Sequence, residues 1–376
     1  MPTQYLLVGT FNTNRIFTFA FSSKPSEETL ELVKINEGQA PHSWLALNSD
    51  KNRLYATSWT TLPGLACYNV SPTSRSSSPA VTFLNAVQTA ARSGYVCVSP
   101  THVYSAGGPA GEVFALDTAT GAFKDGEDGL LQKLDFVGDE RQQDSGGTMD
   151  FGGLRHGSHS FDLSPDGTLA YVADIGRNAI FVFRVLPSGN LQLTEKHISP
   201  RPNDGPRHVT PHPNGKYVYC VQEHSSMVDC FEVDHQQGKL TWQGGVKIVP
   251  QDHDPKDYWA DEVRVSPSQR YVYCSTRHLQ EGTGKGWIAV LALPPSGLLD
   301  PSSAPLALWE TPTSGGWANA VEPAPAGYST EKEEFVALTD SEQGLVMVLG
   351  WDEETLREVA RVRLPDGAGA ATAVWL

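Results

Sequence analysis

Cysteine is scarce in this sequence and forms no framework. There are five residues, Cys67, Cys97, Cys220, Cys230 and Cys274, with no CxxC spacing among them. An odd count without close pairs argues against a disulfide scaffold and favours buried thiols in a reducing compartment. No apolar run is long enough to span a bilayer, and no signal-peptide pattern opens the chain. A soluble, cytoplasmic protein is therefore expected. Positive charge is also short: 28 Lys and Arg against 43 Asp and Glu give a net charge of −15. By bulk electrostatics, that balance excludes nucleic acid and anionic membranes as partners. Neither a GxSxG elbow nor a GxxxxGK[ST] phosphate loop occurs. No stretch sustains an amphipathic helical period, which leaves β structure.

Turn chemistry is abundant, with 35 Gly and 26 Pro in 376 residues. It recurs at a fixed interval. Three segments, HSFDLSPDGTLAYVAD, GPRHVTPHPNGKYVYCVQE and DEVRVSPSQRYVYCSTR, each read as strand, turn and strand. Their turn prolines, Pro165, Pro213 and Pro267, stand 48 and 54 residues apart. Further strands, AIFVFRV, MVDCFEV and WIAVLAL, follow each one. Four strands in roughly 50 residues is the composition of a propeller blade, and about seven such units fit the chain. The fold class is therefore all-β: a seven-bladed β-propeller with four antiparallel strands per blade, expected as one domain over residues 1–376.

The ends of the chain support closure. YLLVGT near the start and ATAVWL near the finish are lone strands, as expected if they share a blade and so leave no open edge. Residues 119–157, with DGEDG and DERQQDSGG, are the least regular and read as an acidic surface excursion. Residues 294–305 read as a smaller loop.

These repeats resemble the seven-bladed propeller lactonase family, whose members include 6-phosphogluconolactonases and the fungal carboxy-cis,cis-muconate cyclase. The C-terminal third, with TPTSGGWANAV, LTDSEQG and REVARVRLPDGAGAATAVWL, resembles the cyclase branch in particular. The resemblance implies a cycloisomerase that closes 3-carboxy-cis,cis-muconate to a carboxy-muconolactone without cofactor or metal. It also implies a site built from His159, Arg207, Glu223 and Arg277, with His208, Trp317 and Asn319 as further substrate contacts. Trp317 departs from the branch, which carries a His there.

The residues support a site independently. In a propeller, residues before the first strand of a blade and after its second lie on one face near the axis. His159 and Arg207 hold the first kind of position, and Glu223 and Arg277 the second. Two arginines can clamp carboxylates bidentately, and His and Glu can move a proton near neutral pH. The arginines are expected to face an open, wet mouth, where substitution would hardly alter stability. His156, His208 and His224 are expected at the surface or behind the site. Alternatives remain at this stage. Glu223 could simply pair with Arg207, and Gln251-Asp252-His253-Asp254 could hold a metal, although adjacent loop residues seldom converge on one ion. A lactone hydrolase or a non-catalytic binding platform would use the same face, and a homo-oligomer is left open.

Overall fold

The computed structural model describes residues 3–24, 27–71, 78–137, 157–328 and 333–376. Among these, 28 strands, β1 to β28 in chain order, form seven four-stranded antiparallel sheets. The second strand of a blade explains the apolar repeats. Every residue of β13 (Leu169–Asp174) is buried. Successive side chains point to opposite faces of a strand. Ala170 and Val172 therefore join the apolar layer shared with the preceding blade, while Leu169, Tyr171 and Ala173 join the layer shared with the next. Outer strands such as β15 (Leu191–Ile198) are mostly solvated.

The innermost strands are β28 (Ala370–Trp375), β4 (Leu45–Leu47), β8 (Tyr95–Val98), β12 (Ser158–Leu163), β16 (Pro206–Pro211), β20 (Tyr258–Val265) and β24 (Val321–Pro323). Each touches the next, and β28 touches both β24 and β4, so the ring is closed. Closure is made by β28 pairing antiparallel with β1 (Gln4–Thr10), the expected sharing of one blade by the two chain ends. All five cysteines are free thiols, four of them buried. Among the described residues, no helix is long and apolar enough to cross a membrane.

The expected excursion at 119–157 needs correction. Up to residue 137 the chain is part of the third blade, where β11 (Leu130–Asp135) pairs with β10 (Ala110–Ala115) as the outermost strand. Phe123, Leu134 and Phe136 are buried in the apolar layer next to it. The acidic DGEDG run is only the single turn of 3-10 helix that leads into this strand. An outermost strand buries little, so its apolar pattern is faint in sequence. Residues 138–156, including His156, lie outside the described residues.

The three repeat turns adopt the same left-handed conformation, at Gly167 (φ 69°), Gly215 (φ 75°) and Gln269 (φ 59°). Only the third uses a residue with a Cβ, which crowds the following carbonyl oxygen in this region. A Cβ added at Gly167 would meet nothing within 4 Å, so the cost there is purely conformational. Gly167→Ala should lower the unfolding free energy by about 1 kcal/mol, and Gln269→Gly should raise it by up to about 1 kcal/mol. Urea denaturation of the two variants checks this. Shifts of the same sign would refute it.

Candidate active site

Three consecutive innermost strands break register at the same level. In β12 the pairing with β13 steps from Ser158–Asp174 to Ser160–Ala173, leaving His159 unpaired. In β16 the pairing with β17 (Tyr217–Gln222) steps from Pro206–Gln222 to His208–Val221, leaving Arg207 unpaired. In β20 the pairing with β21 (Tyr271–His278) steps from Ala260–Thr276 to Val263–Cys274, leaving Asp261 and Glu262 to share one opposite residue. A β-bulge re-aims the side chain it carries. His159, Arg207 and Asp261 consequently all line one axial cavity. The site residues thus lie within the innermost strands rather than before them. Glu223 directly follows β17, and Arg277 lies near the end of β21.

The cavity has a volume of about 280 Å³. Its floor is a quartet of charges drawn from two blades. Asp261 Oδ1 lies 2.9 Å from Arg207 Nη2 and 3.0 Å from Arg277 Nε. Arg277 Nη2 donates to Glu223 Oε1 at 2.7 Å, and Arg207 Nε lies 3.8 Å from that same oxygen. Arg207 also donates to the Asp261 carbonyl. Glu223 pairs most closely with Arg277, and the pairing with Arg207 left open by the sequence is present as the longer contact. The arginines do not face an open mouth: Arg207 is 6% exposed and Arg277 8%. Burial, with a smaller push from the Arg207 charge, pulls Arg277 below the ordinary guanidinium value despite Asp261 and Glu223. Its guanidinium also lies 5.0 Å from the ring centre of Trp259.

Beside the quartet runs a chain of three buried groups. His159 Nδ1 lies 2.9 Å from His208 Nε2, and His208 Nδ1 lies 2.7 Å from Glu262 Oε1. His208, expected at the surface or behind the site, is 1% exposed and reaches the cavity wall as well. Its apolar partners are Trp44 and Tyr95, both meeting it edge-on. Burial, then the Arg207 charge, holds both imidazoles well below the ordinary histidine value.

The rim is aromatic. Phe11 stands 5.5 Å from Trp59 and 5.8 Å from Trp317, centre to centre. Trp317 is 56% exposed and lines the cavity as expected for a substrate contact. Arg92 lies over Trp59 at 5.1 Å, and among the described residues its guanidinium meets no carboxylate. Asn319 does not line the cavity. It is fully buried, its backbone N–H donates to Asp261 Oδ2 at 2.8 Å, and its side-chain amide donates to the Thr276 carbonyl at 3.0 Å. It therefore holds Asp261 from the next blade instead of contacting substrate. His224 is half-buried and also lies outside the cavity lining. In the 251–254 loop, Asp254 accepts from the Lys256 N–H and His253 Nδ1 meets the Tyr258 hydroxyl at 2.6 Å, so both serve local structure.

Asp261, Glu262, Arg92 and, of the aromatic rim, Phe11 and Trp59 were not among the expected site residues. A signal for Asp261 exists: His159, Arg207 and Asp261 each stand six residues before their turn prolines. Ile175, Glu223 and Arg277, which also line the cavity, each stand ten residues after them. The rim carries no such signal, because Phe11, Trp59, Arg92 and Trp317 come from connections outside the repeat core.

The family model described as "Lactonase, 7-bladed beta-propeller" matches residues 5–304. A protein of Cutaneotrichosporon cutaneum named muconate cycloisomerase 1 is 40% identical over 382 residues, covering 100% of this chain and 99% of the relative. A Neurospora crassa protein named carboxy-cis,cis-muconate cyclase is 26% identical over 389 residues, covering 100% of both. Among solved structures, the periplasmic gluconolactonase of Pseudomonas aeruginosa superposes with a TM-score of 0.79 at 18% identity, over 100% of this chain and 99% of that one. At that identity the likeness concerns the fold.

The quartet makes a stability prediction opposite to that for an open mouth. Each guanidinium contacts two buried carboxylates, and a lysine ammonium can replace only one such contact. Arg207→Lys and Arg277→Lys should each lower the melting temperature. Asp261→Asn, which leaves both arginines short of a counter-charge, should cost more, about 3 kcal/mol. Thermal and chemical denaturation decide it; melting temperatures equal to the parent's would contradict the buried quartet.

Proposed function

Because the chain belongs to the seven-bladed β-propeller lactonase family, we propose that it is a lactonizing cycloisomerase. It closes 3-carboxy-cis,cis-muconate to a carboxy-muconolactone. The observation that carries this reading is one cavity joining two buried guanidiniums to the imidazole of His159. The full-length relatives named for muconate chemistry support it.

In this reaction a substrate carboxylate oxygen adds across the substrate's own conjugated double bond. A carbon–oxygen bond forms, the π pair moves to the adjacent carbon, and that carbon takes a proton. No protein nucleophile is required. The chain must hold the acid in a reactive fold and stabilise charge developing on a second carboxylate. Arg207 and Arg277 take the second task, with Glu223 and Asp261 fixing their planes beforehand. His159 Nε2, the ring nitrogen not engaged by His208, faces the reacting carbon as proton donor. Arg92, at the rim and without a carboxylate of its own among the described residues, holds an outlying carboxylate. Three arginines answer the three carboxylates of the carboxylated diene. The name of the 40% identical relative makes cis,cis-muconate itself the second substrate to assay.

The test follows the loss of diene absorbance with chelator-treated, folded protein. Turnover of either diene above the spontaneous rate is expected; unchanged absorbance with both would sink the reading, and turnover of 6-phosphogluconolactone alone would make the protein a lactone hydrolase. His159→Gln should lower kcat by about 10² or more with little effect on KM, since the proton moves only in the transition state. Arg92→Gln should instead raise KM about tenfold and leave kcat nearly unchanged, as lost uniform binding does.

A further inference from the structure

Lactonization consumes a proton. The diene carries one more negative charge than the lactone, so each turnover must return one proton from water to His159. The substrate itself obstructs the direct route. His159 is 6% exposed and lines the cavity that the diene would fill. Its Nδ1 leads through His208, which shares the cavity wall, to Glu262, which does not line the cavity, over contacts of 2.9 and 2.7 Å. Glu262 is fully buried, and among the described residues its Oε2 has no hydrogen-bond partner.

We propose that Glu262, acting through His208, is the proton reservoir of the reaction, and that the chain Glu262–His208–His159 returns one proton per turnover from the side away from the substrate. This rests on the lactonizing reading above. The transfer is a shift of tautomers. His159 Nε2–H gives its proton to the substrate carbon, His159 Nδ1 takes one from His208 Nε2, and His208 Nδ1 takes one from Glu262. After the lactone leaves, water in the emptied cavity protonates His159 Nε2 and the shift runs back, from His159 Nδ1 to His208 Nε2 and from His208 Nδ1 to Glu262, so that Glu262 and both tautomers are restored. No atom changes oxidation state, and neither imidazole is ever cationic. That last point matters, because both rings lie beside Arg207, and burial together with that charge disfavours the imidazolium.

The surroundings of Glu262 suit the role. His208 and Arg207 face it from β16, Arg264 from its own strand, Asp162 from β12, Tyr95 from β8, Glu322 from β24 and Cys274 from β21. Arg264 Nη1 lies 3.3 Å from Glu262 Oε1, which stabilises the carboxylate left after transfer. Burial outweighs that cation and lifts the Glu262 carboxyl to about 7, so both protonation states are reachable near neutrality. Arg264, Tyr95, Asp162 and Glu322 wall a second cavity of about 420 Å³. It is bordered by Leu47, Val98 and Asp162, the far ends of the innermost strands, and so opens away from the substrate site.

Glu262 must be protonated to deliver. The wild-type single-turnover rate should therefore be level at low pH and fall as pH rises through about 7. Glu262→Gln keeps the shape and a hydrogen bond to His208 but has no proton to release. It should lose at least tenfold in rate at about pH 6, lose the descending limb, and leave KM nearly unchanged. His208→Gln, which can still donate to His159 but cannot relay, should show the same two losses. Melting temperatures establish that each variant is folded. A Glu262→Gln rate and pH profile equal to the parent's overturns the relay alone. Absence of turnover by the wild type on either diene overturns the relay together with the reaction it serves. Should both variants unfold, the wild-type profile decides: a rate that stays flat between about pH 6 and 9 overturns the relay.

Discussion

Two guanidiniums and two carboxylates, held out of water at the head of the axial channel, set the terms for everything around them. Moving an ion out of water costs several kcal/mol, and only close, well-oriented counter-charges offset it. Here two of the three close pairings cross from one blade to the next, Arg207 to Asp261 and Arg277 to Glu223, while Asp261 to Arg277 lies within one blade. Each of the two blades brings one charge of each sign. The quartet is therefore satisfied only when neighbouring blades dock in register, and Asn319 extends the requirement to a third blade through its bond to Asp261. Site geometry and ring assembly depend on the same contacts.

Pairing before substrate arrives also shapes recognition. A cavity with two unpaired arginines would attract any small anion. In this one the arginine charges are already balanced, so an incoming acid gains most where its shape places charge against guanidinium edges left free by Glu223 and Asp261. Fixed dipoles and charges that need not reorganise are the efficient way to stabilise developing charge. The aromatic rim of Phe11, Trp59 and Trp317 adds apolar walls that lower the local dielectric.

Much of this was legible in the sequence, and the boundary of legibility has a physical basis. The blade repeat was readable because second strands are buried on both faces and their turns demand Gly, Pro and Asn. The four residues His159, Arg207, Glu223 and Arg277 were implied by the family resemblance and supported by their places beside those turns, and all four line one cavity. The state of the arginines was not readable, because Arg207 meets Asp261 and Arg277 meets Glu223 across a blade boundary, and pairing across blades leaves no local pattern. Glu262 was hidden by the bulge. In a regular strand, adjacent Asp261 and Glu262 would point to opposite faces, and only the register step in β20 lets one line the cavity while the other holds His208. The third blade's outer strand was misread because an edge strand buries too little to print an apolar rhythm.

The seam that closes the ring has a consequence in time. Strand β28 is the innermost member of the blade whose other three strands are β1, β2 (Arg15–Lys24) and β3 (Glu27–Glu37). On the ribosome these three emerge before the other blades, yet the inner edge of β1 keeps its hydrogen-bonding groups unmatched until residues 370–375 have been made. Translation at about 5–20 residues per second leaves that edge waiting for tens of seconds. During this interval the nascent chain offers a template to any other extended segment. Chaperone demand should accordingly peak late in synthesis, and a chain stalled just short of β28 would carry nearly all of its blades without a closed ring.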